Sequence, residues 1–275
     1  MPEQSEQPSS LTITRKVAEL LESGAVGVVV TLVRGANAGA KLLVDEDANV
    51  TGSLGDAELE SVVVPQALRF FHAREETRLV AVKEFAKDFP TAGEIFLLFE
   101  RLQPPPRLVV CGAGHVGASL AKLGAFLGFQ TTLIDDRAEF LERERFANEA
   151  IELLVARDWE SAVREAIKNG RGVSVAVVTR GHSEDEQCMR AVVQTQPDYV
   201  GLIGSKRRTS IVIDRLRETG VSEDQLRQIR APIGLDIGAV SPEEVALAII
   251  AEIVAERRGA AGGSLSAWRR EEGRR

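Results

Sequence analysis

From residue 107 to residue 218, short apolar runs alternate with segments of helical period, and that rhythm leaves few folds open. The spacing predicts strands at 107–111, 130–134, 151–154, 173–178 and 198–203. It predicts helices at 115–127, 138–146, 159–169, 184–195 and 205–218. Strands joined through helices of this length run parallel, by right-handed crossovers. Val, Ile and Leu dominate the strands, as they must where helices cover both faces of a sheet. A last helix opens at Ser241-Pro242-Glu243-Glu244, with Ser at the N-cap, Pro first and Glu third. Val245, Ala248, Ile249 and Ile253 form its buried stripe and Gly259 ends it.

Upstream the pattern differs. A helix at 11–23 precedes the β-branched run at 25–33, which reads as a buried strand. Short strands follow at 39–44 and 49–55, then a helix at 57–73 and a strand at 94–100. Gln103-Pro104-Pro105-Pro106 can neither continue a helix nor pair in a central strand, so the boundary falls there. The expected fold class is therefore α/β, with a parallel-sheet domain at 107–258 preceded by a smaller α+β domain at 11–102. Residues 103–106 form the linker, and flexible tails are expected at 1–10 and 259–275.

Composition removes several functions. The net charge is −7 and aromatics make up 5% of the residues, which excludes a basic or base-stacking nucleic-acid surface. No apolar run reaches the roughly 18–20 residues that span a bilayer. The polar N-terminus is no signal peptide, so a cytoplasmic protein is expected. The two cysteines, Cys111 and Cys188, form no CxxC and no zinc site. No metal ligand set and no catalytic constellation stands out.

One loop carries chemistry. Gly112-Ala113-Gly114-His115-Val116-Gly117 follows an apolar strand and opens a helix, the setting that gives GxGxxG its meaning. In such a Rossmann-like unit the first glycine makes the turn, the second admits a pyrophosphate and the third packs the helix on the sheet. Asp135 lies 21 residues after Gly114, where a carboxylate can meet a ribose hydroxyl, while Arg137 could instead accept a 2′-phosphate. His115 opens a helix and His182 follows the strand at 173–178; each lies beyond a strand end and could hydrogen-bond a ligand, and His182 reads equally as a turn residue beside a helix cap. Gly204-Ser205-Lys206-Arg207-Arg208 places three cations in a helix's first turn, against the helix dipole, which favours a bound phosphate there. The candidate binding set is thus Gly112, Gly114, His115, Gly117, Asp135, Arg137, His182, Gly204, Ser205, Lys206 and Arg207. The apolar loop from Ala231 to Ala239 either closes over a cleft or fills an interface. On these residues alone, an NAD(P)-dependent oxidoreductase and a nucleotide-binding protein without chemistry both stay open.

The blocks LVVCGAGHVGASLAKLGAFLGFQTTLIDDRAEF, VVTRGHSEDE, YVGLIGSKRR and APIGLDIGAVSPEEVALAIIAEI, in this order, resemble the xanthine dehydrogenase accessory family, XdhC/CoxI. The resemblance implies an accessory protein that binds the molybdenum cofactor as transient cargo. It implies help with that cofactor's sulfuration or insertion, and a molybdenum hydroxylase apoenzyme as client. A cysteine desulfurase is a further implied partner, and a homodimer is expected because two-fold pairing is the commonest assembly. The N-terminal domain departs from the family pattern. Gly39-Ala40-Lys41-Leu42-Leu43-Val44 matches, but Arg34-Gly35-Ala36-Asn37-Ala38 lacks the family's Pro-Arg. Gly52-Ser53-Leu54-Gly55-Asp56-Ala57-Glu58 loses two glycines and adds carboxylates, and Thr91-Ala92-Gly93 stands where a Cys-Gly-Gly is usual. These departures leave a degenerate paralogue as the remaining alternative.

Overall fold

The computed structural model describes residues 10–266 except 72, 74, 91–93, 147–150 and 169. Most of the two predicted tails and Thr91-Ala92-Gly93 lie outside the described residues. The chain divides between Pro104 and Pro105 into two compact units.

In the first unit five strands form one antiparallel sheet, in the order β3-β2-β1-β5-β4. They are β1 (Gly27–Arg34), β2 (Lys41–Asp45), β3 (Val50–Ser53), β4 (Thr77–Ala81) and β5 (Phe96–Leu102). Helix α1 (Ser10–Glu22) covers one face, where Ile13 and Leu20 meet Val29 and Leu43. Helix α2 (Ala57–Phe70) covers the other, where Val63, Ala67 and Phe70 meet Val28, Val30, Leu42 and Phe99. The run at 25–33 is β-branched on both faces because the central strand β1 is buried on both. The sequence reading misses β4. Its first three residues are exposed, Leu79 by 56%, so an edge strand leaves no apolar alternation to detect.

The second unit is a six-stranded parallel sheet in the order β11-β10-β9-β6-β7-β8. Its strands are β6 (Arg107–Cys111), β7 (Gln130–Asp135), β8 (Ile151–Val155), β9 (Val173–Val177), β10 (Tyr199–Leu202) and β11 (Ile229–Arg230). This order reverses direction between β6 and β9, which defines a topological switch point. Helices α3 (His115–Phe126) and α8 (Pro242–Arg257) pack on one face against Leu108, Val110 and Leu133. The other face, with Val109, Cys111 and Val175, carries α4 (Trp159–Ile167), α5 (His182–Thr195) and α6 (Lys206–Glu218). Alternate residues of β6 thus enter opposite cores, which is why its apolar run is unbroken.

Two segments differ from expectation. Residues 138–146 form two 3₁₀ turns, Ala138–Phe140 and Arg143–Arg145, instead of a helix. The residues buried there, Leu141 and Phe146, are five apart and do not share one α-helical face. Between α6 and the last helix, α7 (Glu223–Gln228) and the short β11 complete the sheet. The predicted capping box of α8 is present, with Ser241 Oγ accepting from Glu244 N and Glu244 accepting from Ser241 N. Among the described residues no helix is long and apolar enough to cross a membrane.

Candidate functional site

The three loop glycines do three different jobs. Gly112 has φ +114°, and a Cβ there would stand 2.6 Å from the Val178 carbonyl oxygen. It lets β6 and β9 approach at the switch point. A Cβ on Gly117 would stand 1.7 Å from the Gly112 carbonyl oxygen, so α3 starts flush against its own loop. A Cβ on Gly114 would meet nothing within 4 Å. Gly114 is the N-cap of α3 and no side chain caps it, so the first-turn amides have neither an intrahelical acceptor nor a side-chain cap. Geometry of this kind suits an anion.

Asp135, at the end of β7, is 1% exposed and fully engaged. One carboxylate oxygen accepts from the Arg137 amide at 3.0 Å and from Arg137 Nε at 2.8 Å. The other accepts from the Ala113 amide at 2.6 Å and from the second Arg137 guanidinium nitrogen at 3.0 Å. Arg137 also stacks on Phe140, 3.8 Å from the ring centre. Asp136 beside it pairs with Arg180 at 2.8 Å. Burial pushes the Asp135 carboxyl up, but the Arg137 guanidinium and the two amides outweigh it and hold it below the usual carboxylate range. A folded pKa below the unfolded one means that Asp135 stabilises the fold above about pH 4, and that this is lost as pH falls through the folded pKa. Asp135→Asn is therefore expected to flatten the acid limb of the stability profile, read by urea melts from about pH 7 down to about pH 2.5.

The other predicted residues gather at the neighbouring strand ends. His115 is the first residue of α3, beyond β6, and His182 the first of α5, beyond β9. Both are exposed. Beyond β10, Ser205 caps α6 by accepting from the Arg208 amide at 3.2 Å, and Gly204 before it has φ +149°. The three cations of this turn are not equivalent. Arg208 turns inward and donates to Asp185 from two nitrogens, at 3.0 and 2.6 Å, and to the Thr179 carbonyl at 3.2 Å. Lys206 and Arg207 are exposed, and neither has a carboxylate partner among the described residues.

Asp185 is the functional-end residue that sequence reasoning missed. It is wholly buried and accepts from Thr179 Oγ at 2.5 Å as well as from Arg208. Its place three residues into α5 resembled an ordinary helix-start carboxylate, and only the fold brings Arg208 to it. Burial pushes the Asp185 carboxyl up, against Thr179 and Arg208, which pull it down.

Other features are structural. In the first unit the loop that could have offered donors to an anion is closed by its own carboxylates. Glu60 accepts from Ser53 Oγ at 2.6 Å and from the Leu54 amide at 2.7 Å, and Asp56 caps α2 through the Glu58 and Leu59 amides. The loop from Ala231 docks on its own domain, because Ile233 is 8% exposed and its amide donates to the Leu202 carbonyl. Both thiols are buried, and burial, with the adjacent Cys111, pushes the Cys188 thiol well up. A cleft of about 710 Å³ lies at the opposite, amino-terminal ends of β6, β7 and β8. Two of its cations are already used, Arg107 on the carbonyls ending α4 and Arg143 on the Ile151 carbonyl. Among the described residues no three His, Cys, Asp or Glu side chains are grouped to hold a metal.

Strand order, switch point and glycine loop define a Rossmann-type α/β domain, which follows a small antiparallel α+β unit in the sequence. Residues 108–253 match the XdhC Rossmann domain and residues 20–83 match the XdhC and CoxI family. The chain belongs to the XdhC and CoxI family. It is 30% identical over 232 residues to YqeB of Escherichia coli K12, covering 82% of this chain and 41% of that protein. It is 27% identical over 162 residues to a probable xanthine dehydrogenase component of Bacillus subtilis 168, covering 59% of this chain and 46% of that one. The chain thus spans less than half the length of these two relatives. Similarity to the molybdenum cofactor insertion chaperone PaoD of Escherichia coli K12 runs over 284 residues at 25% identity, covering 90% of this chain and 88% of PaoD. The crystal structure of a xanthine dehydrogenase from Bacillus halodurans shares the fold, with TM-score 0.51 at 16% identity over 92% of this chain and 98% of that one.

Proposed function

We propose that this protein serves molybdenum hydroxylases as an accessory factor, binding the molybdenum cofactor and passing it to the apoenzyme. The observation that carries the reading is the pair of cations, Lys206 and Arg207, in the first turn of α6, which have no carboxylate partner among the described residues. Cations there oppose the helix dipole, and an anionic cargo relieves the conflict. The cofactor is a phosphorylated pterin. Its phosphate suits the open amides at Gly114, with His115 and His182 at the rim. Kinship with PaoD and with the Bacillus subtilis protein supports the same role.

The test is anaerobic thermal shift with purified molybdenum cofactor, followed by reconstitution of a hydroxylase apoenzyme. A cargo that binds only the folded protein raises its melting temperature by mass action. Lys206→Glu/Arg207→Glu is expected to weaken binding about tenfold or more while raising the unliganded melt slightly, because carboxylates suit a helix start. Full hydroxylase activity in a strain lacking this protein would overturn the reading.

Sulfuration is proposed to occur on the bound cofactor, with sulfur supplied directly by a partner such as a cysteine desulfurase. The two thiols of this chain are buried and poorly suited to relay it. A homodimer and a cytoplasmic location complete the proposal. The second reading, an NAD(P)-dependent oxidoreductase, draws support from the glycine loop but not from Asp135, whose oxygens are already taken.

A further inference from the structure

We propose that Arg137 is a specificity-determining residue, one that closes the switch-point site against ligands presenting a ribose cis-diol. This rests on the reading that the glycine loop takes a phosphate. In a dinucleotide site of this fold the carboxylate ending the second strand accepts from the ribose hydroxyls while the pyrophosphate lies on the glycine loop. Here that carboxylate is Asp135, and it has nothing left to accept with. Each oxygen holds two lone pairs, and the Ala113 amide, the Arg137 amide and two guanidinium nitrogens fill all four.

The plug is held from more than one side. Phe140 backs the Arg137 guanidinium at 3.8 Å, and the chain between them is a single 3₁₀ turn. Asp136 is drawn off to Arg180, which Glu184 also approaches at 3.4 Å. Among the described residues no second free carboxylate is therefore offered at the end of β7. The carboxylate that would read an adenosine's ribose is taken up by the protein's own donors. The half that would hold a phosphate is open at Gly114, where even a Cβ would touch nothing. The ligand class selected is a phosphate or pyrophosphate compound that asks for no ribose recognition at β7.

Calorimetry on the full chain tests this with two probes, NAD+ and inorganic pyrophosphate. Wild-type protein is expected to bind pyrophosphate and to show no NAD+ binding at millimolar concentration. Arg137→Ala is expected to gain at least tenfold in NAD+ affinity, and Arg137→Gln, which keeps one donor, to gain less. Adding Asp135→Asn to Arg137→Ala should remove the gain, because an amide accepts poorly from a diol. Melting curves identify any variant that does not fold, and the remaining variant then decides. If pyrophosphate binds and neither Arg137 variant gains NAD+ affinity, the lock is wrong while the phosphate reading stands. If wild type binds NAD+ as tightly as the variants, the lock is likewise wrong. If pyrophosphate and NAD+ bind none of the proteins, the phosphate reading fails and the lock fails with it.

Discussion

Gly117→Ala is expected to cost more than about 4 kcal/mol or to prevent folding, whereas Gly114→Ala, three residues earlier, is expected to change stability by less than about 0.5 kcal/mol. The contrast follows from what each new methyl group would meet. At Gly117 it lies 1.7 Å from the Gly112 carbonyl oxygen, where carbon and oxygen normally stop near about 3.3 Å. Both atoms belong to main chain or Cβ, so no rotamer relieves the contact. Either α3 lifts off the sheet or the loop unwinds. Gly112→Ala should fall between the two, since it combines φ +114° with a 2.6 Å approach to Val178. Gly114 has φ −63° and free space around it, so alanine fits the backbone. Its methyl group adds bulk at the N-cap of α3, where the proposed phosphate would sit, and the expected loss is in ligand affinity. Urea melts paired with ligand titration separate the two effects. Equal destabilisation by Gly114→Ala and Gly117→Ala would contradict the roles assigned to the loop.

The second large effect is expected at Asp185. Asp185→Ala leaves the Arg208 guanidinium without its counter-charge and the Thr179 hydroxyl without its acceptor, all at the buried junction of β9, α5 and α6. Breaking one side of a buried pair costs about 3–5 kcal/mol. Arg208 keeps some contact with water, which places the expected loss toward the lower end. Replacing both partners, as Asp185→Leu with Arg208→Met, should recover much of it, because no buried charge is then stranded. A double-mutant cycle by denaturant melts measures the coupling. Additive single-mutant losses would mean that the two residues do not act as a pair. The pH dependence has the opposite sign to that of Asp135. The Asp185 carboxyl is raised by burial, so protonating it favours the fold: this group makes stability fall as pH rises from about pH 4 through the folded value, even though the ionised carboxylate still holds Arg208.

Asp185 also explains why the first turn of α6 presents two cations without a carboxylate partner among the described residues, instead of three. Its carboxylate draws Arg208 under the helix start, so Lys206 and Arg207 alone face outward. In the sequence Lys206, Arg207 and Arg208 are one run of three positive residues, of which the first two stand in the candidate binding set. The difference comes from a contact between positions 23 residues apart, which no local pattern encodes.

Much of the architecture could be read before the structure. The β-α alternation after Pro106, the capping box at Ser241 and the glycine loop after β6 are local signals, written in periodicity, side-chain caps and backbone freedom. Such signals survive because each is satisfied within a few residues of itself. Edge strand β4 and the 3₁₀ turns after β7 were not legible, since exposed edges carry no apolar pattern and two buried residues set no helical face. At the site, the sequence marked Asp135 and Arg137 as alternatives for reading a ligand's ribose or its 2′-phosphate. Folding pairs them with each other instead, because at the end of β7 the guanidinium and the Ala113 amide reach the carboxylate together. Sequence alone determined where the glycine loop would lie, between β6 and α3. The tertiary structure decided which charges remain available there, because buried charges must find partners and the fold chooses which ones they meet.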